Sequence, residues 1–199
     1  MTAAAGPGTG PPPETTPWNV PNALTALRLV LVPLFAWMLL AHAADPGWRV
    51  VTAIVFTVAI LTDLVDGYLA RRHNLITRFG KLADPIADKA LTGMAFIGLS
   101  IIGELWWWVT VVILVREWGI TLMRFVMLRY GVMAAGRGGK LKTVLQSIAL
   151  ILFLLPLPGW AEPVAWTVMG LAVVVTVVTG IDYVREAALL RRRALTGPR

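Results

Sequence analysis

The chain has 199 residues, of which 57% are hydrophobic, and its mean hydropathy is +0.73. A composition this apolar, with apolar runs of about 20 residues that can cross a bilayer as helices, excludes an ordinary soluble domain and predicts an integral membrane protein. Cysteine is absent, which excludes disulfides, thiolate metal ligands and cysteine nucleophiles. The net charge of +7 comes from basic residues beside the apolar runs, where anionic lipid is a nearer partner than nucleic acid.

The first residues differ in composition from the rest of the chain. Residues 1–17 are rich in Gly, Pro, Thr and Ala, and they contain too little apolar surface to offset the entropy of ordering. We therefore predict a disordered tail. It lacks the basic region, apolar core and cleavage site of a signal peptide, so the first hydrophobic segment is expected to remain as an anchor.

Six apolar segments follow, and each is predicted to be a transmembrane helix of an all-α membrane protein. The predicted spans are residues 22–42, 49–71, 83–103, 106–130, 141–158 and 163–190. We expect them to form one catalytic transmembrane domain, residues 18–190, followed by a basic cytoplasmic tail, residues 191–199.

Basic residues are concentrated in the second and fourth connections and after the sixth segment. They are Arg71, Arg72, Arg78 and Lys81, then Arg137, Lys140 and Lys142, and finally Arg191, Arg192, Arg193 and Arg199. The other connections contain only Arg49, so the positive-inside rule predicts that both termini face the cytoplasm in a multi-pass protein of the cell membrane. Trp48, the run 106–108 and Trp160 would then lie at the outer interface, where indoles concentrate.

Four of the eleven acidic residues lie within or at the edges of the second and third apolar segments: Asp63, Asp66, Asp84 and Asp88. Each would cost about 2.5–3.5 kcal/mol at mid-membrane. The spacing puts each pair on one helix face, and antiparallel packing would bring both pairs to the cytoplasmic interface. A hard divalent cation, Mg²⁺ or Mn²⁺, would relieve their repulsion. Transporters also use intramembrane carboxylates, so a divalent metal transporter is the alternative from a different class.

Small residues and an arginine stand at fixed offsets from these aspartates. Together they read Asp63-x2-Asp66-Gly67-x2-Ala70-Arg71-x8-Gly80-x3-Asp84-x3-Asp88. All eight positions match the signature of the CDP-alcohol phosphotransferase family, which the chain resembles over about residues 18–190. The resemblance implies a fold of six transmembrane helices, a homodimer and a cytoplasmic active site. Transport does not require the glycines, alanine and arginine at these offsets.

The resemblance also implies a CDP-lipid donor whose pyrophosphate is bridged by two divalent ions, Mg²⁺ or Mn²⁺. Asp63, Asp66 and Asp84 would chiefly hold metal, and Asp88 would be both a metal ligand and the general base for the acceptor hydroxyl. The donor-binding residues implied are Asp63, Gly67, Ala70, Arg71, Asn19, Thr25 and Arg28. Among them, Gly67 and Ala70 would line the cytidine pocket.

A second charged group lies in and after the fourth segment: Arg116, Glu117, Arg124, Arg129, Arg137, Lys140 and Lys142. Arg116 and Arg124 fall on the same broad side of the helix and partly within the apolar run, where an unpaired cation is costly. Glu117 is about 100° from Arg116 around the helix and neutralises it only imperfectly, so an anionic ligand is a reasonable partner.

This group and the opening Asn19-Val20-Pro21-x3-Thr25-x2-Arg28 resemble the family members whose acceptor is glycerol 3-phosphate. We expect transfer of the phosphatidyl group of CDP-diacylglycerol to glycerol 3-phosphate, giving phosphatidylglycerophosphate and CMP in phospholipid biosynthesis. The predicted acceptor-phosphate residues are Arg116, Arg124, Lys140, Lys142 and Lys81. A cardiolipin synthase, which uses phosphatidylglycerol and shares all eight motif positions, is the close alternative; a phosphatidylinositol phosphate synthase is a third.

Overall fold

The computed structural model describes the backbone of residues 20–72, 78–127 and 137–196, and the side chains of residues 26–62, 86, 89–127 and 138–192. The predicted tail, residues 1–17, lies outside the described residues.

Six α-helices account for most of this described part. They are α1 (Val20–Ala41), α2 (Pro46–Arg72), α3 (Arg78–Ile101), α4 (Trp107–Met127), α5 (Arg137–Leu154) and α6 (Glu162–Thr196), with a 3₁₀ turn at Gly159–Ala161. No strand occurs in these ranges, so the prediction of an all-α fold is confirmed there. Helix α5 ends earlier than the predicted fifth span because Pro156 disfavours helical geometry at the residue before it. Helix α6 continues through the basic run 191–193.

One segment of the described chain, Gly159–Arg192, is long and apolar enough to cross a membrane by length and composition. Shorter apolar helical segments are found at Ala26–Ala41, Pro46–Thr62 and Lys89–Ile101. The predicted total of six membrane spans therefore stays a prediction.

The short connections at one end of the bundle are defined by local hydrogen bonds. Asp45 caps α2: its Oδ1 accepts hydrogen bonds from the backbone N–H groups of Gly47 at 2.8 Å and Trp48 at 3.2 Å. Pro46 occupies the first turn, where its missing N–H has no cost. After α3, Gly103 adopts a φ of +82°, the left-handed conformation that ends many helices.

Contacts between helices fix their relative directions. Rings of Phe35 and Phe56 lie 5.6 Å apart between α1 and α2, and Leu39 of α1 packs against Gly98 of α3. Helices α1 and α3 therefore run parallel, and α2 runs antiparallel to both. Helix α3 also contacts α4 and α5, while α6 packs against α4 and α5.

The core that holds this arrangement is mostly apolar. Its largest fully buried side chains are Phe35, Phe56, Phe96, Leu91, Leu99, Leu105, Ile113, Leu150, Leu154, Met169 and Val109. At one end of the bundle α2, α4 and α6 finish and α3 and α5 begin. We call this end the site end, because it gathers the segments that carry the predicted functional residues.

Candidate active site

The two aspartate pairs lie on adjoining helices. Asp63 and Asp66 belong to the C-terminal part of α2, and Asp84 and Asp88 to the first half of α3. Because α2 and α3 are antiparallel and in contact, both backbone segments belong to the site end. The side chains of all four aspartates lie outside the described residues. The same holds for the motif side chains Gly67, Ala70, Arg71 and Gly80, and for Lys81.

The four aspartates are chemically suitable ligands for a divalent metal ion. Carboxylate oxygens are the ligands that Mg²⁺ and Mn²⁺ prefer, and four of them come from two adjoining helical segments. Among the other residues predicted to bind the donor, Arg28 is buried on α1, with 3% of its surface exposed. The side chain of Thr25 and the whole of Asn19 lie outside the described residues.

Arg116 lies across the interface between α4 and α6. Its Nη1 donates to Glu117 Oε1 at 3.2 Å, and its Nη2 donates to Thr179 Oγ1 at 2.9 Å. Its Nε is buried and has no hydrogen-bond partner among the described side chains and backbone. The aliphatic stem rests on Gly180, where an added Cβ would stand 3.2 Å from Arg116 Cγ. Arg116 is therefore held by α6 as well as by its own helix.

Arg124, two turns further along α4, also reaches α6. Its Nη2 donates to the hydroxyl of Tyr183 at 2.8 Å, and its guanidinium carbon lies 4.9 Å from the centre of that ring. The guanidinium carbon of Arg116 lies 5.7 Å from the same ring. Both arginines thus lie on the same side of α4, as their spacing predicts, and that side faces α6.

Glu117 links Arg116 to α5. Its Oε1 accepts hydrogen bonds from Arg116 and from Lys142 Nζ, and Lys142 is buried, with 6% of its surface exposed. The carboxylate is therefore shared between two cations, which agrees with the expectation that Glu117 neutralises Arg116 only imperfectly. Lys140, by contrast, is exposed on the first turn of α5. Two residues along a helix turn the side chain by about 200°, which separates the two lysines.

A small cavity between α3, α4 and α5 places a further cation, Lys89, near Glu117 and Lys142. Its walls include Lys89, Glu117, Trp118, Lys142 and Gln146. Lys89 donates to the hydroxyl of Thr121 on α4, and its Nζ lies 5.6 Å from the centre of the Trp118 ring.

Three residues that contact this charged group, Lys89, Thr179 and Tyr183, were not predicted from the sequence. Lys89 directly follows Asp88 and is a charged residue in an apolar segment, so the cost of burying a cation was a signal that could have identified it. Thr179 and Tyr183 are uncharged residues in a long apolar helix, and their spacing alone does not distinguish them from residues that face lipid.

The sequence profile of CDP-alcohol phosphatidyltransferases matches residues 18–178 of the chain. The chain belongs to the CDP-alcohol phosphatidyltransferase family. This confirms the family prediction made from the eight motif positions, and the matched range includes α1 to α5 and about half of α6.

Three similar relatives bear one of two enzyme names. A probable phosphatidylglycerophosphate synthase of Mycobacterium tuberculosis is 50% identical over 173 residues, covering 85% of this chain and 81% of the relative. The CDP-diacylglycerol–glycerol-3-phosphate 3-phosphatidyltransferase of Bacillus subtilis is 39% identical over 180 residues, covering 83% of this chain and 93% of the relative. A protein of the same name from Rickettsia typhi is 35% identical over 170 residues, covering 83% of this chain and 94% of the relative.

Proposed function

We propose that this enzyme transfers the phosphatidyl group of CDP-diacylglycerol to glycerol 3-phosphate, giving phosphatidylglycerophosphate and CMP. The observation that carries the proposal is the 50% identity, over 85% of the chain, to a protein named as a probable phosphatidylglycerophosphate synthase. Relatives at 39% and 35% identity bear the corresponding transferase name. In this reaction an oxygen of the acceptor hydroxyl bonds to the phosphorus of the phosphatidyl group, and the bond from that phosphorus to CMP breaks.

The proposed setting is a six-span protein of the cell membrane with its site end in the cytoplasm. The six helices have between 18 and 35 residues, so the shortest is about 27 Å long, near the 30 Å thickness of the hydrocarbon core. Large apolar side chains on α4 are exposed at helical spacing: Val111, Val115, Trp118, Leu122 and Phe125. Such a stripe is rare on soluble monomers and suits contact with lipid. A homodimer is part of the proposal, as the family resemblance implies.

The aspartate motif is the proposed centre of the reaction. Asp63, Asp66 and Asp84 would hold two Mg²⁺ or Mn²⁺ ions, with Asp88 as a further ligand. When bound, these ions supply positive charge to the pyrophosphate of the donor. Asp88 would also accept the proton of the attacking hydroxyl, which makes that oxygen a better nucleophile.

The remaining motif residues are assigned to the donor. Arg71 would stabilise the negative charge of the departing CMP, because a guanidinium forms strong paired hydrogen bonds with phosphate. Gly67 and Ala70 would leave room for the cytidine. Asn19, Thr25 and Arg28 would lie near the donor headgroup.

The cations of α4 and α5 are assigned to the phosphate of the acceptor. Among the described side chains, Arg116 and Lys142 share a single carboxylate, that of Glu117, and Arg124 lies beside the same Tyr183 ring as Arg116. This set suits an acceptor that brings a phosphate dianion, because the arginines retain N–H donors that can bind it. Lys140 and Lys81 are further candidates for the same phosphate.

An acceptor assay tests the proposal directly. Purified enzyme is given CDP-diacylglycerol with glycerol 3-phosphate, phosphatidylglycerol or inositol phosphate in turn, and CMP release is measured. We expect release with glycerol 3-phosphate, its loss when divalent ions are chelated, and its recovery when Mg²⁺ or Mn²⁺ is restored. Release with phosphatidylglycerol alone would identify a cardiolipin synthase, and the absence of CMP release with every acceptor would favour the transporter alternative.

A further inference from the structure

Two residues of α6, Thr179 and Tyr183, hold the two arginines of α4 that are assigned to the acceptor. We infer that Thr179 and Tyr183 are positioning residues, which set the affinity of the enzyme for its anionic acceptor by fixing the guanidinium groups of Arg116 and Arg124. The inference rests on the proposed function, because it assumes that these arginines bind the acceptor phosphate. It gives α6 a role in acceptor binding, although no residue of the aspartate motif lies on this helix.

Tyr183 contacts both arginines at once. Its hydroxyl accepts a hydrogen bond from Arg124 Nη2 at 2.8 Å, and its ring lies 4.9 Å from one guanidinium carbon and 5.7 Å from the other. The side chain is 6% exposed, so water competes little for these contacts. A buried aromatic ring beside two cations attracts both and restricts their rotamers. Tyr183 therefore sets the distance between two positive charges that would otherwise repel each other.

Thr179 presents an acceptor of fixed direction to Arg116. Its hydroxyl donates to the backbone carbonyl of Val175 at 2.7 Å, within α6. Because the single hydroxyl proton is used there, the lone pairs of Oγ1 remain for Arg116 Nη2, at 2.9 Å. The methyl group of the same residue faces Gly138 of α5, where an added Cβ would stand only 2.7 Å away. Helix α5 thus packs directly against Thr179.

Neither contact uses up the hydrogen-bonding capacity of the arginines. A guanidinium has five N–H donors, and the bonds to Thr179, Glu117 and Tyr183 use only some of them. Arg116 Nε in particular is buried and has no partner among the described residues. A buried, unpaired N–H is costly, and a phosphate oxygen is the kind of acceptor that would satisfy it. The contacts to α6 therefore orient the arginines and leave donors for an anion.

Kinetics of four variants test the inference. Tyr183→Phe keeps the ring but removes the hydroxyl, Thr179→Val removes the hydroxyl but keeps the shape, and Thr179→Ser keeps the hydroxyl. Thr167→Val is the matched control, because its hydroxyl donates to Pro163 O at 2.7 Å on an exposed part of α6 that contacts neither arginine. We expect Tyr183→Phe and Thr179→Val to raise the KM for glycerol 3-phosphate about 3- to 10-fold, since a hydrogen bond to a charged group is lost.

The KM for CDP-diacylglycerol should change less than about twofold in the same variants, and Thr179→Ser and Thr167→Val should keep the wild-type acceptor KM. An unchanged acceptor KM in both Tyr183→Phe and Thr179→Val would overturn the inference. So would an equal rise in both KM values together with a lower thermal midpoint in detergent, because that pattern indicates a purely structural role. Wild-type enzyme that releases no CMP with glycerol 3-phosphate would instead refute the proposed function, and the inference with it.

Discussion

Lys142 and Lys140 are two positions apart on α5 but occupy different environments. Lys142 is buried and donates to Glu117, whereas Lys140 is exposed on the first turn. Both are assigned to the acceptor phosphate on the sequence alone. The structure distinguishes them, because a cation shielded from water interacts more strongly with an anion than an exposed one does.

We therefore expect Lys142→Met to raise the KM for glycerol 3-phosphate about tenfold or more, while Lys140→Met raises it by less than about threefold. Glu117 keeps its hydrogen bond from Arg116 in the first variant, so the fold should survive. Steady-state kinetics with varied acceptor at saturating donor measure both effects. Equal increases in the two variants would contradict the difference in environment.

Asp88 is the residue whose proposed role is chemical. Replacing it with Asn removes both a metal ligand and the proton acceptor, so CMP release should fall by about 10²- to 10⁴-fold. Asp45→Asn is the matched control: Asp45 caps α2 at the end of the bundle opposite the site end, and asparagine caps a helix equally well. Its turnover should equal that of the wild type. Asp88→Asn with full activity would eliminate Asp88 as the general base.

At the scale of elements, Arg49 joins three parts of the fold away from the site end. Its Nη2 donates to Phe153 O at 2.7 Å and its Nε to Leu154 O at 3.3 Å, at the C-terminus of α5. Its Nη1 lies 2.5 Å from Glu104 Oε1 in the connection between α3 and α4. The last carbonyls of a helix have no partner within it, so a cation there satisfies them and interacts favourably with the helix dipole.

Arg49→Gln should therefore lower the free energy of unfolding by about 2–4 kcal/mol, because several hydrogen bonds from a charged group are lost. The thermal midpoint in detergent measures the effect, and Arg191→Gln, which changes an exposed residue of α6, is the comparison. The KM values for both substrates should stay unchanged, because Arg49 is remote from the site end. A normal midpoint would show that the other contacts of α2 and α5 are sufficient without Arg49.

The helices themselves could be predicted because each has a long apolar run with clear breaks. Pro46 starts α2, and Pro156 excludes a longer α5. The aspartates could be found because a charge in an apolar helix needs a compensating partner. The residues of α6 that hold Arg116 and Arg124 could not be predicted from the sequence. Thr179 donates to a carbonyl of its own helix, as hydroxyls in apolar helices commonly do, so nothing in its sequence context indicates that it also accepts from Arg116.

At the scale of the whole molecule, helix pairing is the part that sequence patterns leave open. The hydrophobic pattern orders the helices along the chain but does not state that α4 packs against α6 rather than against α5. That pairing brings Tyr183 to Arg116 and Arg124, residues about 60 positions away. The same contacts show that α4 and α6 run parallel, because Arg116 contacts Thr179 and the later Arg124 contacts the later Tyr183.

Membrane orientation can be tested on the intact protein. The chain contains no cysteine, so a single introduced cysteine provides the one thiol that a maleimide can label. Trp160 is 81% exposed in the 3₁₀ turn just before α6, and Arg191 is exposed near the C-terminal end of α6. With the basic connections in the cytoplasm, a membrane-impermeant maleimide should label Trp160→Cys in intact cells and Arg191→Cys only after permeabilisation. Labelling of Arg191→Cys but not of Trp160→Cys in intact cells would reverse the orientation and put the site end outside the cell, away from the cytoplasmic pool of the proposed acceptor, glycerol 3-phosphate. Equal labelling of both before permeabilisation would mean that α6 does not cross the bilayer.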